Sequence, residues 1–101
     1  GKEMMMYDEI LDWAIKTWGK ESQILMLAEE CSELSSAALR CLRETRPEAN
    51  DKIPEEIADV EIMIEQWKRM NEDNRVAVVE AKREKFKRLQ KRLETIAGQK
   101  K

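Results

Sequence analysis

The chain has 101 residues, with 21 acidic and 19 basic side chains, no histidine and a net charge of −2. The nearly balanced charge argues against a protein that coats a nucleic acid polymer, because such a protein would be basic overall. No apolar run is long enough to predict a transmembrane helix. The length predicts a single domain (residues 1–101, with flexible termini at 1–4 and 98–101) whose thin core would benefit from oligomerisation.

The two cysteines, Cys31 and Cys41, lie ten residues apart on one predicted helix. Because the chain has no CxxC pair and no histidine, a zinc finger or a thiol redox motif is not expected. We expect two small core residues that do not bridge each other, in a reducing cytoplasm. Residues 4–7 are followed at once by Asp8 and Glu9, which is not the pattern of a signal peptide.

The first helix is predicted from about Met5 to Trp18, and Gly19 is expected to end it. Its apolar residues recur at helical spacing and predict a buried stripe of Tyr7, Ile10, Leu11, Ala14 and Trp18. Trp13 falls outside this stripe. It is either a partly buried surface aromatic or a platform for a nucleobase, because aromatic rings stack on bases.

The second helix is predicted from about Lys20 to Arg43. Its apolar face consists of Ile24, Leu27, Ala28, Cys31, Ala38 and Leu42. It carries Glu30 at the margin of this face and Glu33 further round the helix. Because residues three apart are neighbours on a helix surface, these two acids lie side by side. The helix should end before Arg46-Pro47, because the residue before a proline avoids the α region. The short polar loop of residues 46–52 predicts that the helices on either side form an antiparallel pair.

The third helix is predicted to begin with Asp51 as its cap and Pro54 in its first turn. Its apolar arc consists of Ile53, Ile57, Val60, Met63, Ile64 and Trp67. At about 100° per residue, Glu56 projects inside this arc and Asp59 lies at its edge. An ionised acid on a core-facing stripe requires a partner. That partner is either a buried arginine or lysine, or a metal shared with the acid pair of the second helix.

The fourth helix is predicted from about Arg75 to Ile96, with Asn74 as its cap and an end near Gly98. Its apolar residues have heptad spacing: Val79, Phe86, Leu89, Leu93 and Ile96. Lys82 occupies the one position of this stripe that should be apolar, so it either pairs with an acid or makes an inward-facing contact with phosphate. The rest of the helix is densely basic, which is most often a solvated face.

The second and third helices, packed side by side, would bring four carboxylates together: Glu30, Glu33, Glu56 and Asp59. Four carboxylates cannot all stay ionised at close quarters without a cation between them. Sites made only of oxygen ligands suit Mg²⁺ or Mn²⁺. One ExxE pair on a helix is usually a solvated face. Two pairs on consecutive helices, one of them inside an apolar arc, predict a divalent metal that handles a phosphate.

These acid pairs resemble the EExxE…ExxD signature of the all-α nucleotide pyrophosphohydrolases, and in particular the small single-domain MazG-like proteins. The similarity lies in the runs Trp18–Leu34 and Glu55–Met63, and it extends over roughly Asp12 to Leu93. The expected fold is an all-α, four-helix MazG-like bundle, completed by oligomerisation to a dimer or tetramer. The resemblance implies Mg²⁺-dependent cleavage of a nucleoside triphosphate between the α and β phosphates, to give the monophosphate and pyrophosphate, with Mn²⁺ as a possible substitute.

The resemblance also implies roles for individual residues. The family's metal ligands match Glu30, Glu33, Glu56 and Asp59. Glu29 matches an acid that assists or orients water, and either Glu29 or Glu33 would accept the proton of that water. Lys82 matches a lysine that approaches the phosphates; family members often follow it with an asparagine and an arginine, where this chain has Phe86 and Lys87. The further candidates for contact with substrate are Trp13 and Gln23.

A second hypothesis, from another class, is a non-catalytic homo-oligomeric helical interaction protein or nucleotide-binding protein. The basic fourth helix and the balanced charge fit this hypothesis as well. The sequence does not specify a base or a sugar. Metal-dependent release of pyrophosphate from a panel of nucleotides would separate the two hypotheses.

Overall fold

The computed structural model of the chain describes residues 5–44 and 52–99, and these ranges contain four α-helices and no strand. The helices are α1 (Tyr7–Trp18), α2 (Lys20–Cys41), α3 (Lys52–Arg69) and α4 (Asn74–Gln99). The prediction of an all-α fold with four helices is confirmed. None of these helices has a stretch that is both long and apolar enough to cross a membrane.

The predicted helix boundaries differ from the observed ones by a few residues. Lys52, which we assigned to a loop, is the first residue of α3, and Gly98 and Gln99, which we assigned to a flexible terminus, belong to α4. Asn74, the expected cap, is the first residue of α4. The predicted cap Asp51, the rest of the polar loop and the terminal segments 1–4 and 100–101 lie outside the described residues.

Gly19 separates α1 from α2 through its backbone conformation. Its φ of 87° and ψ of 157° belong to a region that residues with a side chain rarely adopt. Its N–H donates a hydrogen bond to the carbonyl of Ile15 at 2.8 Å, which closes the last turn of α1. The prediction that Gly19 ends the first helix is confirmed.

The chain divides into two compact units, Gly1–Asn71 and Glu72–Lys101. In the first unit α2 packs most extensively against α3, and α1 contacts both. The covered face of α2 consists of Gln23, Leu27, Glu30, Leu34, Ala37 and Cys41. A stripe with the same spacing on α3 consists of Ile53, Glu56, Val60, Met63 and Trp67. Because steps of three and four alternate, each stripe lies along one face of its helix.

Several residues that we expected in the core are exposed in the structure. Tyr7 and Trp18 on α1 are 84% and 63% exposed. The other exposed members of the predicted apolar faces are Ile10, Ile24, Ala28, Cys31, Ala38, Leu42 and Ile57. The prediction failed because it selected the most apolar face of each helix, whereas the covered face of α2 includes the polar residues Gln23 and Glu30. Neither cysteine forms a disulfide bond within the described residues, and Cys31 is exposed rather than in the core.

The second unit contains α4, and none of the residues of this helix is buried. The heptad stripe is present in its sequence, but every residue from 79 to 99 is exposed. Phe86, at the centre of the stripe, is 63% exposed. Within the second unit, no residue of this stripe is covered.

Candidate metal centre

Three carboxylates meet where α2 packs against α3. One carboxylate oxygen of each of Glu30, Glu33 and Glu56 lies within 4.8 Å of the other two. Glu30 and Glu56 belong to the covered stripes of their helices, and Glu33 is exposed at the edge of the contact. Glu33 reaches the group because it lies about one turn beyond Glu30 on the same side of α2. Asp59, the fourth predicted ligand, does not belong to this group of three, but its charge acts on both Glu30 and Glu56. We call these four residues the acid cluster.

The acid cluster raises the pKa of its two covered members. Burial raises the pKa of the Glu30 carboxyl, and the negative charges of Glu33, Asp59 and Glu56 raise it further. Burial also raises the pKa of Glu56, again followed by the charges of Glu33 and Asp59, while the Lys52 ammonium acts in the opposite direction. Asp59, which is exposed on α3, thus acts on both covered carboxyls. The cluster is most favourable when a proton or a cation offsets its charge.

Two oxygens of the acid cluster are left without a partner. The Oε2 atoms of Glu30 and Glu56 are buried, and neither has a hydrogen-bond partner in the described part of the chain. A carboxylate oxygen withdrawn from water without a compensating contact destabilises the fold. The structural alternative was a buried arginine or lysine paired with Glu56. Within residues 5–44 and 52–99 no such hydrogen-bonded cation reaches the buried oxygen of Glu56.

A hard divalent cation fits this set of donors. All the donor atoms are carboxylate oxygens, which are the ligands that Mg²⁺ and Mn²⁺ prefer. A cation among them would satisfy the two buried oxygens and offset both the burial of the charges and the repulsion between them, which together raise the pKa values of Glu30 and Glu56. Acidic groups also cluster on protein surfaces without a metal. The two buried, unpartnered oxygens distinguish the acid cluster from such a solvated face.

The remaining candidate residues lie in different environments. Glu29 is exposed on α2, and its charge contributes to the raised pKa of Glu30. Trp13 is 61% exposed on α1, so its ring is open to a ligand. Gln23 is 5% exposed and belongs to the covered stripe of α2, so its side chain is largely closed to a substrate. Lys82 is exposed on α4, in the second unit. Their roles in binding a nucleotide stay predictions.

Sequence reasoning missed two polar residues near the end of α3. Gln66 is 4% exposed; its Nε2 donates to the Sδ of Met63 at 3.7 Å, and its Oε1 is buried without a partner among the described residues. Arg69 donates two hydrogen bonds to Asp12 on α1. Neither residue belongs to an acid pair or to the apolar arc of α3. The sequence patterns therefore contained no signal for them.

Comparison of this chain with known protein families, with curated proteins and with solved structures gives no match. The resemblance to MazG-like pyrophosphohydrolases therefore rests on the sequence motifs alone. The geometry of the acid cluster is an independent observation, because it depends on how the two helices pack.

Proposed function

We propose that this chain is a Mg²⁺-dependent nucleoside triphosphate pyrophosphohydrolase whose acid cluster binds the metal. The observation that carries the metal site is the grouping of Glu30, Glu33 and Glu56 within 4.8 Å, with two of their oxygens buried and unpartnered. The reaction, cleavage between the α and β phosphates, is inferred from the resemblance of the motifs. A dimer or tetramer and a cytoplasmic location belong to the same proposal.

The proposed roles follow from exposure and charge. A bound divalent cation would neutralise charge on the phosphates and favour ionisation of a water. Glu30 and Glu56, which are held in the contact between α2 and α3, would anchor the site from the protein side. Glu29 and Glu33 are exposed, so either carboxylate can accept the proton of the attacking water.

Two residues outside the acid cluster would bind the rest of the nucleotide. Lys82, exposed on α4, would contribute a positive charge to the triphosphate. Trp13, exposed on α1, would stack on the base. Stacking on an aromatic ring tolerates different bases, so it would add affinity without choosing one substrate.

The experiment is pyrophosphate release from a panel of canonical and modified nucleoside triphosphates with Mg²⁺ or Mn²⁺. We expect release from at least one nucleotide, and a loss of at least about 100-fold in Glu56→Gln because a preorganised charge is removed. Glu61→Gln is the matched control, since it makes the same change at an exposed position of α3 and should retain activity. Equal activity in the two variants, or no metal-dependent release from any nucleotide, would overturn the proposal.

A second candidate function is a homo-oligomeric interaction protein, or a nucleotide-binding protein, without catalysis. The specific observation that favours it is the exposed apolar stripe of α4, which is typical of a surface that binds another protein. This candidate predicts self-association, with or without binding of a nucleotide, and no release of pyrophosphate with any metal.

A further inference from the structure

Helix α4 exposes an apolar stripe along most of its length. The stripe consists of Val79, Phe86, Leu89, Leu93 and Ile96, and each of these side chains is between 45% and 63% exposed. An isolated helix is only marginally stable in water, and most helical stability in proteins comes from the packing of an apolar face. An apolar row of this length on a helix that buries none of its residues marks a surface that binds a partner.

The charge of α4 limits the choice of partner. The second unit has ten basic and five acidic residues, which gives a net charge of +5. Lys85 and Arg92 each precede a residue of the stripe and Arg83 follows Lys82, so these three basic residues flank the stripe. Two copies of α4 that paired along this stripe would bring together two helices of the same net positive charge, which opposes pairing. The stripe therefore fits an acidic partner rather than another α4.

The first unit of the same chain has the complementary properties. It carries sixteen acidic and nine basic residues, for a net charge of −7. It also exposes large apolar side chains beside its acids: Trp13 next to Asp12 on α1, and Ile62 next to Glu61 on α3. An acidic surface with exposed apolar groups matches a basic helix with an apolar stripe in both respects.

We propose that the stripe of α4 docks on the acidic first unit of a second copy of this chain. The exchange is reciprocal, so each copy donates one basic helix and accepts one, and the assembly closes as a two-fold dimer. The apolar contacts supply the affinity, and the opposite charges of +5 and −7 supply orientation and speed of association. The docking contact requires neither a metal in the acid cluster nor a reaction there, although Lys82, a candidate for contact with the triphosphate, lies in the row that docks.

The contact is tested by photo-crosslinking within a mixture of copies. Unlabelled chains carry a benzophenone side chain in place of Leu89, and they are mixed with ¹⁵N-labelled wild-type chains. After irradiation, mass spectrometry assigns each crosslinked peptide to a copy and to a unit. We expect ¹⁵N peptides from residues 5–71. Crosslinks to ¹⁵N peptides from residues 72–101, or no crosslink to any ¹⁵N peptide, would overturn the proposal.

A pair of variants tests the stripe without a probe. Phe86→Glu places a charge in the stripe, whereas Ala81→Glu places the same charge on α4 outside it. We expect the dissociation constant of the dimer, measured by sedimentation, to rise at least about tenfold in Phe86→Glu and to change little in Ala81→Glu. Raising the salt should slow association, since it screens the charges of the two units. A wild-type chain that stays monomeric at micromolar concentration, or equal weakening by both variants, would overturn the proposal.

Discussion

Asp12 on α1 accepts two hydrogen bonds from Arg69 on α3, one from Nε at 2.7 Å and one from Nη2 at 2.6 Å. The planar guanidinium matches the two oxygens of a carboxylate, so the pair fixes the orientation of both side chains. Asp8 adds a longer contact of 3.5 Å to Nη1 of the same arginine. The hydrogen bonds to Arg69 lower the pKa of Asp12, and in return they raise the pKa of Arg69. The pair thus ties α1 to the helix that carries Glu56.

Replacing Asp12 should loosen the attachment of α1. We expect Asp12→Asn to lower the melting temperature at pH 7 by on the order of a few degrees, because it removes the charge but keeps the shape. Asp8→Asn is the control and should have a smaller effect, since its contact with Arg69 is longer. The pKa of Asp12 is lowered, so its contribution is present above the ordinary value of 3.8 and is lost as the pH falls below it. In thermal melts from pH 7 to pH 2, the difference in melting temperature between the wild type and Asp12→Asn should disappear only at the acidic end of this range.

The acid cluster should have the opposite dependence on pH. Glu30 and Glu56 have raised pKa values, so the folded state binds protons more readily than the unfolded state does. The penalty of the cluster is therefore fully present at neutral pH and is relieved as the pH falls through the raised values toward the ordinary 4.5. Without divalent metal, we expect Glu56→Gln to exceed the wild type in free energy of unfolding at pH 7, and this advantage to shrink toward pH 4.5.

Denaturant unfolding in a chelating buffer measures this effect. Glu61→Gln is again the control, because this exposed residue of α3 lies outside the acid cluster. Its difference from wild type should be small and nearly constant with pH. A Glu56→Gln protein that is less stable than wild type at pH 7 would show that Glu56 pairs with a buried cation.

Gly19 and Gly98 should respond in opposite directions to the same substitution. Gly19 has a φ of +87°, whereas Gly98 lies in α4, and a Cβ added at either position meets nothing within 4 Å. Gly19→Ala should therefore destabilise the first unit through backbone strain alone, by about 1–3 kcal/mol. Gly98→Ala should raise the helix content and the melting temperature slightly, because alanine favours a helix over glycine. Circular dichroism melts of the two variants would show opposite signs; equal losses would contradict the strain argument.

Lys82 is predicted to bind the triphosphate. We expect Lys82→Met to retain the helix content of the wild type, because the residue is exposed, and to weaken binding of a triphosphate by about tenfold through loss of one charge-assisted contact. Lys91→Met, at another exposed position of α4, is the control and should bind normally. Calorimetric titration of the substrate found in the panel measures both. Loss of helix content with unchanged affinity would make Lys82 a structural residue instead.

The grouping of three acids of α2 and α3 and the break between α1 and α2 are the features that the sequence predicted best. The i, i+3 spacing placed Glu30 and Glu33 on one side of α2, and the packing of α2 on α3 brings Glu56 to them. Gly19 predicted the break between α1 and α2 because no other residue adopts its conformation as readily. These features depend on local geometry, which a sequence pattern contains directly.

The covered faces were harder to predict because they depend on packing between helices. The covered stripe of α2 runs through Gln23 and Glu30, so apolar residues alone indicated a face that is rotated from the real one. The stripe of α4 has a clear period, but a period does not reveal whether any surface covers it. The hydrogen bonds from Arg69 to Asp12 join positions 57 residues apart. No local sequence pattern could predict this contact.

The central claim is that the acid cluster binds a divalent cation, and thermal melts with increasing Mg²⁺ test it most directly. A cation that binds only the folded state raises the melting temperature progressively, by an amount equivalent to about 2.7 kcal/mol at one hundred times its dissociation constant. We predict this rise in wild type and in Glu61→Gln, and a much smaller rise in Glu56→Gln. A wild-type melting temperature that does not respond to Mg²⁺ or Mn²⁺, together with a clear loss of metal-free stability in Glu56→Gln, would contradict the claim.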